Sequence, residues 1–376
     1  MREKTSWPIV AICYDFDKTL SPKDMQNFGL IPKLGCKVSA FWKASNKIAQ
    51  EQGMDKILAY MKLIVDKAQS REEKIAREDF NALGKTIELF PGVDSWFERI
   101  NKIAESLEIN VEHYIISAGL KEIIEGTTIA KFFTGIYASE FYYDQYGKPM
   151  WPCQVVNYTT KTQYLFRINK NCLDMSDEDS VNQYIPNEER RIPLSNFIYI
   201  GDSETDIPAM KIVKQGGGTS IGVYNPINCD LDRVLQLLKQ DRIDYLMPAD
   251  YSEKSKIEKA VCSVLNEIHT KFKLKHLHSQ QRAFVNDLEE VDEFAEYTEQ
   301  FISDGDLTLE DINSIEKKSK KIIRKIKKNI IDAHVEVGGA VEIDMFVTKK
   351  QEYLKKKFDD KRKKISKKNS KQQGIQ

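Results

Sequence analysis

An apolar segment followed at once by two aspartates is the feature that most constrains this chain. Residues 9–14, Ile-Val-Ala-Ile-Cys-Tyr, carry no charged side chain and lead directly to Asp15 and Asp17. Such a run predicts a strand that is buried on both faces, as in a parallel sheet. The alternation of side chains along an extended chain directs both carboxylates to the same side. Because open α/β sheets bind ligands at the carboxyl ends of their strands, the pair marks a candidate site.

Further strands alternate with helices up to about residue 272. Short apolar runs predict strands at 113–116, 196–200, 220–223 and 243–247, and aromatic strands flanking 145–148 predict a hairpin at 136–155. Helical periodicity occurs in most of the segments between them. This alternation predicts an α/β fold with a mostly parallel sheet and helices on both faces.

Between the first strand and residue 90 the pattern is helical throughout. Apolar residues spaced three and four apart predict helices at 38–52, 55–67 and 77–85. We interpret 21–90 as a helical cap inserted over the strand ends, so that residues 1–20 and 91–272 form the catalytic core. Beyond the core we expect a helical extension at 273–348 and a basic, disordered tail at 349–376.

A formal net charge of zero hides a strong separation of charge in the last third of the chain. Residues 287–311 carry 11 Asp/Glu and no Lys/Arg, whereas residues 317–328 carry 8 Lys/Arg in 12 positions. Both segments have helical spacing, so we expect an acidic and a basic helix packed antiparallel. Residues 349–376 carry 12 Lys/Arg against 3 Asp/Glu. Such a tail is typically solvated, and an anionic partner is the functional alternative.

Composition narrows the class of protein. With 41% hydrophobic and 10% aromatic residues, the sequence is typical of a globular protein. Its apolar runs are shorter than the roughly 18 residues that a membrane span needs, and its first residues lack the pattern of a signal peptide. The six cysteines are scattered without a CxxC pair, which favours neither a disulfide framework nor a zinc site. We expect a soluble, cytoplasmic protein without a membrane span.

Several residues at strand ends or helix starts supply the groups that phosphoryl transfer from a monoester requires. Asp15 can be the ionised nucleophile that forms an aspartyl phosphate. Asp17 can protonate the leaving alcohol and later deprotonate the hydrolytic water. The transferring phosphoryl group carries negative charge, which Lys161, Ser117 and backbone N–H groups such as that of Gly119 can compensate. This reasoning predicts Asp15, Asp17, Ser117 and Lys161 as catalytic residues, and Ser117, Gly119 and Lys161 as phosphate-binding residues.

Carboxylates in the same set predict a metal site. Mg²⁺ is a hard ion that prefers oxygen ligands and is usually bound by one or two carboxylates, waters and substrate phosphate. The predicted ligands are Asp15, Asp17, Asp202 and Asp206. Asp206 can instead hold a metal-bound water or orient Lys161, since it follows Asp202 by one helical turn.

This set resembles the phosphatase branch of the haloacid dehalogenase superfamily. The resemblance rests on the sequence Asp-Phe-Asp-Lys-Thr at 15–19, on Ser117 and Lys161, and on Gly-Asp-Ser-Glu-Thr-Asp at 201–206. It covers about residues 8–250 and implies a Rossmann-like core, Mg²⁺ dependence and an aspartyl-phosphate intermediate. Thr19 enters the predicted catalytic set as part of the first motif. The inserted helices resemble a type-one cap, as in phosphoserine-phosphatase-like enzymes.

One ambiguity concerns the phosphate-binding lysine. Lys170 is the nearest alternative to Lys161. The preceding residues 157–160, Asn-Tyr-Thr-Thr, favour a helix that begins at Lys161.

The resulting prediction is a Mg²⁺-dependent phosphomonoester hydrolase that acts on a small phosphorylated metabolite. The alternative is a partner- or nucleic-acid-associated protein that uses its charged C-terminal extension. In that case the core would act on a nucleotide or polynucleotide phosphate, or be vestigial. The complete set of catalytic residue types favours the enzyme, because a binding module has no need for Asp17 or Lys161.

Overall fold

The computed structural model describes residues 7–70, 75–202, 204–227, 231–304, 307–334 and 340–373. Ser203 of the predicted fourth motif and residues 374–376 of the predicted tail lie outside these ranges. The chain forms two units, Met1–Thr270 and Lys271–Gln376, and we describe each by itself. Among the described residues, no helix is both long and apolar enough to cross a membrane.

Seven strands of the first unit form one sheet in the order β4-β3-β2-β1-β5-β6-β7. Their bounds are β1 Ile9–Tyr14, β2 Asn110–Leu120, β3 Phe133–Tyr143, β4 Pro149–Gln154, β5 Phe197–Gly201, β6 Thr219–Tyr224 and β7 Tyr245–Pro248. All neighbours are parallel except β3 and β4, which form an antiparallel hairpin. The chain order reverses across β1, which lies between β2 and β5, and such switch points are where α/β sheets bind ligands. The predicted α/β fold with a mostly parallel sheet is confirmed.

The first strand is apolar throughout because both faces of the sheet around it are covered. Val10 and Ile12 join one buried cluster, whereas Ala11 and Cys13 join a second cluster. None of these four side chains has exposed surface. Alternate residues of a strand point to opposite faces, so neither face can accept a charge before the strand ends at Asp15.

Helices occupy most of the connections between the strands. Their bounds are α1 Leu30–Lys33, α2 Val38–Gln52, α3 Lys56–Gln69, α4 Arg77–Gly84, α5 Val93–Ser106, α6 Lys121–Glu125, α7 Lys161–Lys170, α8 Glu178–Asn182, α9 Ile207–Gln215, α10 Leu231–Lys239 and α11 Lys256–Asp304. Helix α5 buries Trp96 and Phe97 in the same cluster as Val10, whereas α7 buries Tyr164 and Leu165 in the cluster of Ala11. The sheet is therefore packed between two helical layers, as its alternating pattern predicts.

Helices α1–α4 form the insertion between β1 and β2. The periodicity that marked α2 and α3 in the sequence reflects one buried face on each helix, which includes Phe41 and Ile64. Asp55 sets the start of α3, because its carboxylate accepts the N–H groups of Ile57 and Leu58. The insertion thus shares the main core of the first unit.

The last helix of the insertion packs closely on the core of the same unit. Gly84 at the end of α4 lies against the backbone of Gly126, which follows α6, and a Cβ at either glycine would overlap the opposite backbone. At the start of α4, Arg77 lies 3.5 Å from a carboxylate oxygen of Glu125 and 3.1 Å from one of Glu140. Both ends of α4 are therefore attached to the core.

The second unit contains the end of α11 together with α12, Leu309–His334, and α13, Ala340–Gln373. Apolar side chains from all three helices form one buried cluster, which consists of Ala295, Ile302, Ile312, Ile323, Ile326, Val347, Leu354 and Phe358. A separate apolar core makes this extension a folded unit in its own right.

The basic tail is helical, and the prediction of a disordered tail at 349–376 was wrong for residues 349–373. Composition alone suggested disorder because lysines dominate the segment. Val347, Leu354 and Phe358 nevertheless recur at helical spacing and are at most 2% exposed. Burial of this face stabilises a helix that the lysines alone would not favour.

The acidic segment 287–311 finds partners on α13. Lys350 Nζ lies 2.5 Å from Asp292, and Lys357 pairs with Glu299. Lys350 and Lys357 are seven residues apart, and so are Asp292 and Glu299. Helices α11 and α13 therefore run in the same direction along this contact. The sequence predicts that the acidic segment packs against the basic residues of α12, and it gives no sign of these ion pairs to α13.

Candidate active site

The candidate site begins where the chain leaves β1. The Asp15 N–H donates to the Ile200 carbonyl oxygen of β5 at 2.9 Å, so Asp15 is still held by the sheet. The N–H of Thr19 then donates to the Phe16 carbonyl oxygen at 3.2 Å, and Lys18 adopts a φ of +57°. This tight turn leaves the Asp15 carboxylate at the sheet end, where it is 5% exposed.

Lys161 contacts two of the predicted carboxylates. Its Nζ lies 2.6 Å from Asp206 Oδ1 and 3.2 Å from Asp15 Oδ1, and its side chain has no exposed surface. The start of α7 fixes this position: the Lys161 N–H donates to the Asn157 carbonyl oxygen at 3.0 Å. The side chain of Asn157 in turn accepts the N–H of Thr160 at 3.0 Å. A local turn therefore directs the lysine into the site.

Lys170 lies at the opposite end of α7. Its Nζ donates to the carbonyl oxygens of Val181 and Gln183 at 2.7 and 2.8 Å. The lysine therefore bonds to backbone at the end of α8 and not to an acidic group. Of the two candidate lysines, only Lys161 contacts Asp15.

Three of the predicted metal ligands lie together. Asp15, Asp202 and Asp206 each offer a carboxylate oxygen, and these oxygens all lie within 4.8 Å of one another. Asp202 directly follows β5, and Asp206 ends the short 3-10 helix that precedes α9. The Tyr199 hydroxyl donates to Asp206 Oδ1 at 2.8 Å, which together with Lys161 fixes that carboxylate.

Asp17, the fourth predicted ligand, lies outside this group. Its Oδ1 accepts the N–H of Met25 at 2.7 Å, in the short 3-10 helix that leads into the insertion. Burial raises the pKa of Asp17 well above its usual range, and the nearby carboxylates of Asp24 and Asp15 add to the effect. Two aspartates only two residues apart thus have separate surroundings.

Ser117 and Gly119 reach the same sheet end from β2. Ser117 is 1% exposed, and its Oγ accepts the Gly119 N–H at 3.2 Å. A Cβ at Gly119 would overlap the Met25 side chain. Thr19 is fully buried, and its hydroxyl has no hydrogen-bond partner among the described residues.

Burial governs the charge states within the site. It raises the pKa of Asp15 to about 6, although Lys161 favours the ionised form. It also raises the pKa of Asp202 well above its usual range, and repulsion from Asp15 and Asp206 adds to this rise. Burial disfavours a charged Lys161, but the Asp15 and Asp206 carboxylates outweigh it and raise the lysine pKa above its usual value. One buried cation therefore faces three carboxylates.

This excess of negative charge fits a divalent cation. The donors of the cluster are all carboxylate oxygens, which hard cations prefer over nitrogen or sulfur. Burial raises the pKa values of Asp15 and Asp202, and repulsion among the carboxylates adds to the rise; a cation among the oxygens would offset that repulsion. Asp15, Asp202 and Asp206 are therefore suited to hold a metal ion.

Two tyrosines of the site were missed in the sequence. Tyr199 lies inside an apolar strand, and nothing in the run distinguishes its hydroxyl as a partner of Asp206. Tyr60 belongs to the apolar face of α3, but its hydroxyl donates to the Ala118 carbonyl oxygen of β2 at 2.7 Å. It brings the insertion into contact with the segment between Ser117 and Gly119.

The comparison with known families agrees with this geometry. A family model described as haloacid dehalogenase-like hydrolase matches residues 12–211. The chain belongs to this family. The matched segment contains every predicted site residue, from Asp15 to Asp206, so the haloacid dehalogenase-like assignment made from the sequence is confirmed.

Among similar proteins, an uncharacterized protein of Borreliella burgdorferi is 28% identical over 231 residues, which cover 54% of this chain and 78% of that protein. A substrate-bound phosphoserine phosphatase structure is 16% identical, covers 68% of this chain and 97% of its own, and has a TM-score of 0.43. A haloacid dehalogenase family hydrolase from Salmonella enterica serovar Typhi is 15% identical. The match covers 65% of this chain and 69% of that protein, with a TM-score of 0.44. At such distances the roles of individual residues rest on the geometry of this site.

Proposed function

We propose that this haloacid dehalogenase-like hydrolase is a Mg²⁺-dependent phosphatase that cleaves a small phosphomonoester through an aspartyl phosphate on Asp15. One observation carries the proposal: Asp15 lies 3.2 Å from the buried Lys161 and shares a carboxylate cluster with Asp202 and Asp206. A nucleophile beside a fixed cation and a metal-binding group suits attack on a negatively charged phosphorus centre. The proposal includes a cytoplasmic setting, which rests on the sequence alone.

The two aspartates of the first motif have different tasks in this reaction. The Asp15 carboxylate attacks phosphorus and forms a new P–O bond as the ester P–O bond breaks. Asp17 gives its proton to the leaving oxygen, and the raised pKa of its buried carboxyl favours the protonated form that this step needs. Water then attacks phosphorus, Asp17 takes a proton from it, and phosphate leaves with Asp15 restored.

The transferring group needs hydrogen bonds and positive charge on several sides. Lys161 supplies a fixed positive charge next to Asp15, and the Ser117 hydroxyl and the Gly119 N–H supply donors from β2. Asp15, Asp202 and Asp206 would hold Mg²⁺. When bound, the ion supplies further positive charge that offsets the negative charge on the phosphoryl oxygens.

The insertion supports a small leaving group. Met25 packs against Gly119, and Tyr60 donates to the Ala118 carbonyl oxygen, so side chains of the insertion approach the phosphate-binding segment closely. Met25 also donates its N–H to Asp17, the proton donor for the leaving oxygen. A bulky group on that oxygen would have to displace these contacts.

Release of phosphate from p-nitrophenyl phosphate, with and without Mg²⁺, tests the proposal. Asp15→Asn should reduce the rate by about 10³-fold or more, because the amide cannot form the acyl phosphate. The matched control is Asp94→Asn, which changes an exposed aspartate of α5 and should leave the rate unchanged. Equal rates for wild type and Asp15→Asn would refute the proposal. A panel of small phosphate esters would then identify the substrate.

A further inference from the structure

Helix α12 carries a dense set of cations at its surface. Eight of the twelve residues at 317–328 are Lys or Arg, and this segment contains no Asp or Glu. Seven of these eight side chains are exposed, and Lys327 is half-buried. Like charges along one helix repel one another, so this density destabilises the helix unless opposite charges lie nearby.

The cations do not surround α12 evenly. Among the side chains of α12 that the structure describes, the buried ones are Ile312, Ser319, Ile323 and Ile326. Successive residues of an α-helix are rotated by about 100° around its axis. The face opposite the buried one therefore carries a row of residues whose spacings in the sequence are four, three and four. This row, which we call the basic row, consists of Lys317, Lys321, Arg324 and Lys328. It extends over roughly 16 Å at the helical rise of 1.5 Å per residue.

The basic row also lacks the neutralising partners that other lysines of this unit have. Lys350 and Lys357 of α13 pair with Asp292 and Glu299 of α11. By contrast, no carboxylate of the described residues lies within ion-pair distance of the four side chains of the basic row. Their charge is therefore available to a partner.

The chemistry of this face selects among anionic partners. Stable attachment to an anionic membrane usually combines cations with an apolar face that enters the lipid, but the apolar face of α12 is buried against the other two helices. Single-stranded nucleic acid is usually bound with aromatic stacking, and residues 309–334 contain no Phe, Tyr or Trp. A straight row of long cationic side chains matches instead the regularly spaced phosphates of a duplex.

We propose that the basic row of α12 binds the phosphate backbone of a nucleic-acid duplex, without reading its sequence. The proposal is independent of the phosphatase activity, since it concerns the second unit alone. It predicts binding that depends strongly on salt and little on sequence.

The test uses the full-length protein and fluorescence anisotropy with short DNA and RNA duplexes of arbitrary sequence, titrated at several salt concentrations. The variant replaces all four residues of the basic row with Gln. It should lose about 10²-fold or more in affinity at low salt, and the slope of log affinity against log salt should fall by about 3 to 4, because each phosphate contact contributes about 0.9. Far-UV circular dichroism checks that both proteins keep the same helical content.

A second variant is the matched control. It replaces four exposed lysines of α13 with Gln, so that the net charge changes equally on a different helix: Lys349, Lys356, Lys363 and Lys367. This variant should retain most of the affinity and the salt slope. An equal loss in both variants would mean that total charge, rather than the basic row, causes binding, and the proposal would be wrong.

Further arms of the experiment separate the remaining partners. The same titration with a single strand and with vesicles of anionic lipid should give weaker binding than the duplex. Tighter binding to either one, or no duplex binding at all, would overturn the proposal.

Discussion

Lysine–aspartate pairs occur in both units of the molecule, but their surroundings differ completely. In the first unit, Lys161 lies 2.6 Å from Asp206, and neither side chain has exposed surface. In the second unit, Lys350 lies 2.5 Å from Asp292, with 35% and 45% of the side chains exposed. The distances are nearly equal, so distance does not separate a functional pair from a surface pair. Burial does, because it removes the water that would otherwise screen and solvate both charges.

The comparison shows that a charged pair is evidence of function when it is buried, and not when it is exposed. A buried pair with a surplus carboxylate has altered pKa values and is suited to hold a further cation. An exposed pair in high dielectric contributes at most a little stability. Four measurements test this contrast, and we give them in order of decreasing effect.

The largest effect should follow from Lys161→Met. The change leaves Asp15 and Asp206 buried without their cation, so we expect phosphatase activity to fall by about 10² to 10⁴-fold and the unfolding free energy by about 3–5 kcal/mol in chelator. Kinetic assays and urea unfolding measure the two quantities. Lys170→Met, on the same helix, should retain most of the activity because its lysine bonds only to backbone carbonyls. Similar losses in both variants would remove the special role of Lys161.

A comparable loss of stability should follow from Phe358→Ala in the second unit, where apolar burial rather than charge holds α13. Phe358 is 1% exposed, and deleting a buried aromatic ring costs about 3–5 kcal/mol. Amide hydrogen exchange of 340–373 should become faster, while the first unit stays protected. Tyr353→Phe, at an exposed position, is the control. If exchange in α13 is already fast in wild type and unaffected by the change, the segment is disordered after all.

A pH-dependent effect, which is small just below pH 6.5 and grows toward pH 4, should involve His113, which has no role in the proposed reaction. Trp96 donates to the Tyr14 hydroxyl, which contacts His113 Nδ1 at 3.0 Å, and His113 Nε2 contacts Asn101 Oδ1 at 3.0 Å. Burial lowers the pKa of His113 from 6.5 to about 3. Between these values the unfolded chain holds the extra proton, so acid should destabilise the native state by up to about 1.4 kcal/mol per pH unit.

The variant His113→Gln should lack this contribution. It should be less stable than wild type above pH 6.5, and the difference should shrink as the pH falls toward 4. Urea unfolding at a series of pH values measures it. Parallel pH profiles for the two proteins would show that His113 does not resist protonation in the native state.

The smallest effect should come from the exposed pair of Lys350 and Asp292. A double-mutant cycle with Lys350→Ala and Asp292→Ala should give a coupling of about 0.2–1 kcal/mol, which high salt should largely remove. Thermal unfolding at low and high salt measures it. A coupling as large as the loss in Lys161→Met would break the contrast between the two units.

Much of the fold could be predicted because local patterns agree with the tertiary structure. The run 9–14 is apolar because both faces of the central strand are covered, and Asp15 comes where the strand leaves the sheet. The turn at 157–160 predicted the start of α7 at Lys161, and this start decides which lysine reaches Asp15. Each of these signals is confined to a few consecutive residues.

Other features depended on contacts that no local pattern contains. The hydroxyl of Tyr199 meets Asp206 only once the chain after β5 has turned back. The sequence grouped Asp17 with the metal ligands because residues two apart on a strand share a face. In the structure Asp17 accepts the Met25 N–H and lies outside the carboxylate cluster, so its role as a ligand stays a prediction. In α13, three buried apolar side chains decide the structure, whereas composition was dominated by lysine.

The close packing of α4 against the core limits which residues of the insertion can change during evolution. At Gly84 and Gly126 a side chain would collide with backbone, so neither position can accept another residue without shifting α4. Helices α2 and α3 meet no such constraint at their exposed faces. Substitutions on the exposed faces of α2 and α3 can therefore accumulate while α4 keeps its contact with the core. Gly84 and Gly126 thus hold α4 against the core, whereas the exposed faces of α2 and α3 are open to sequence change.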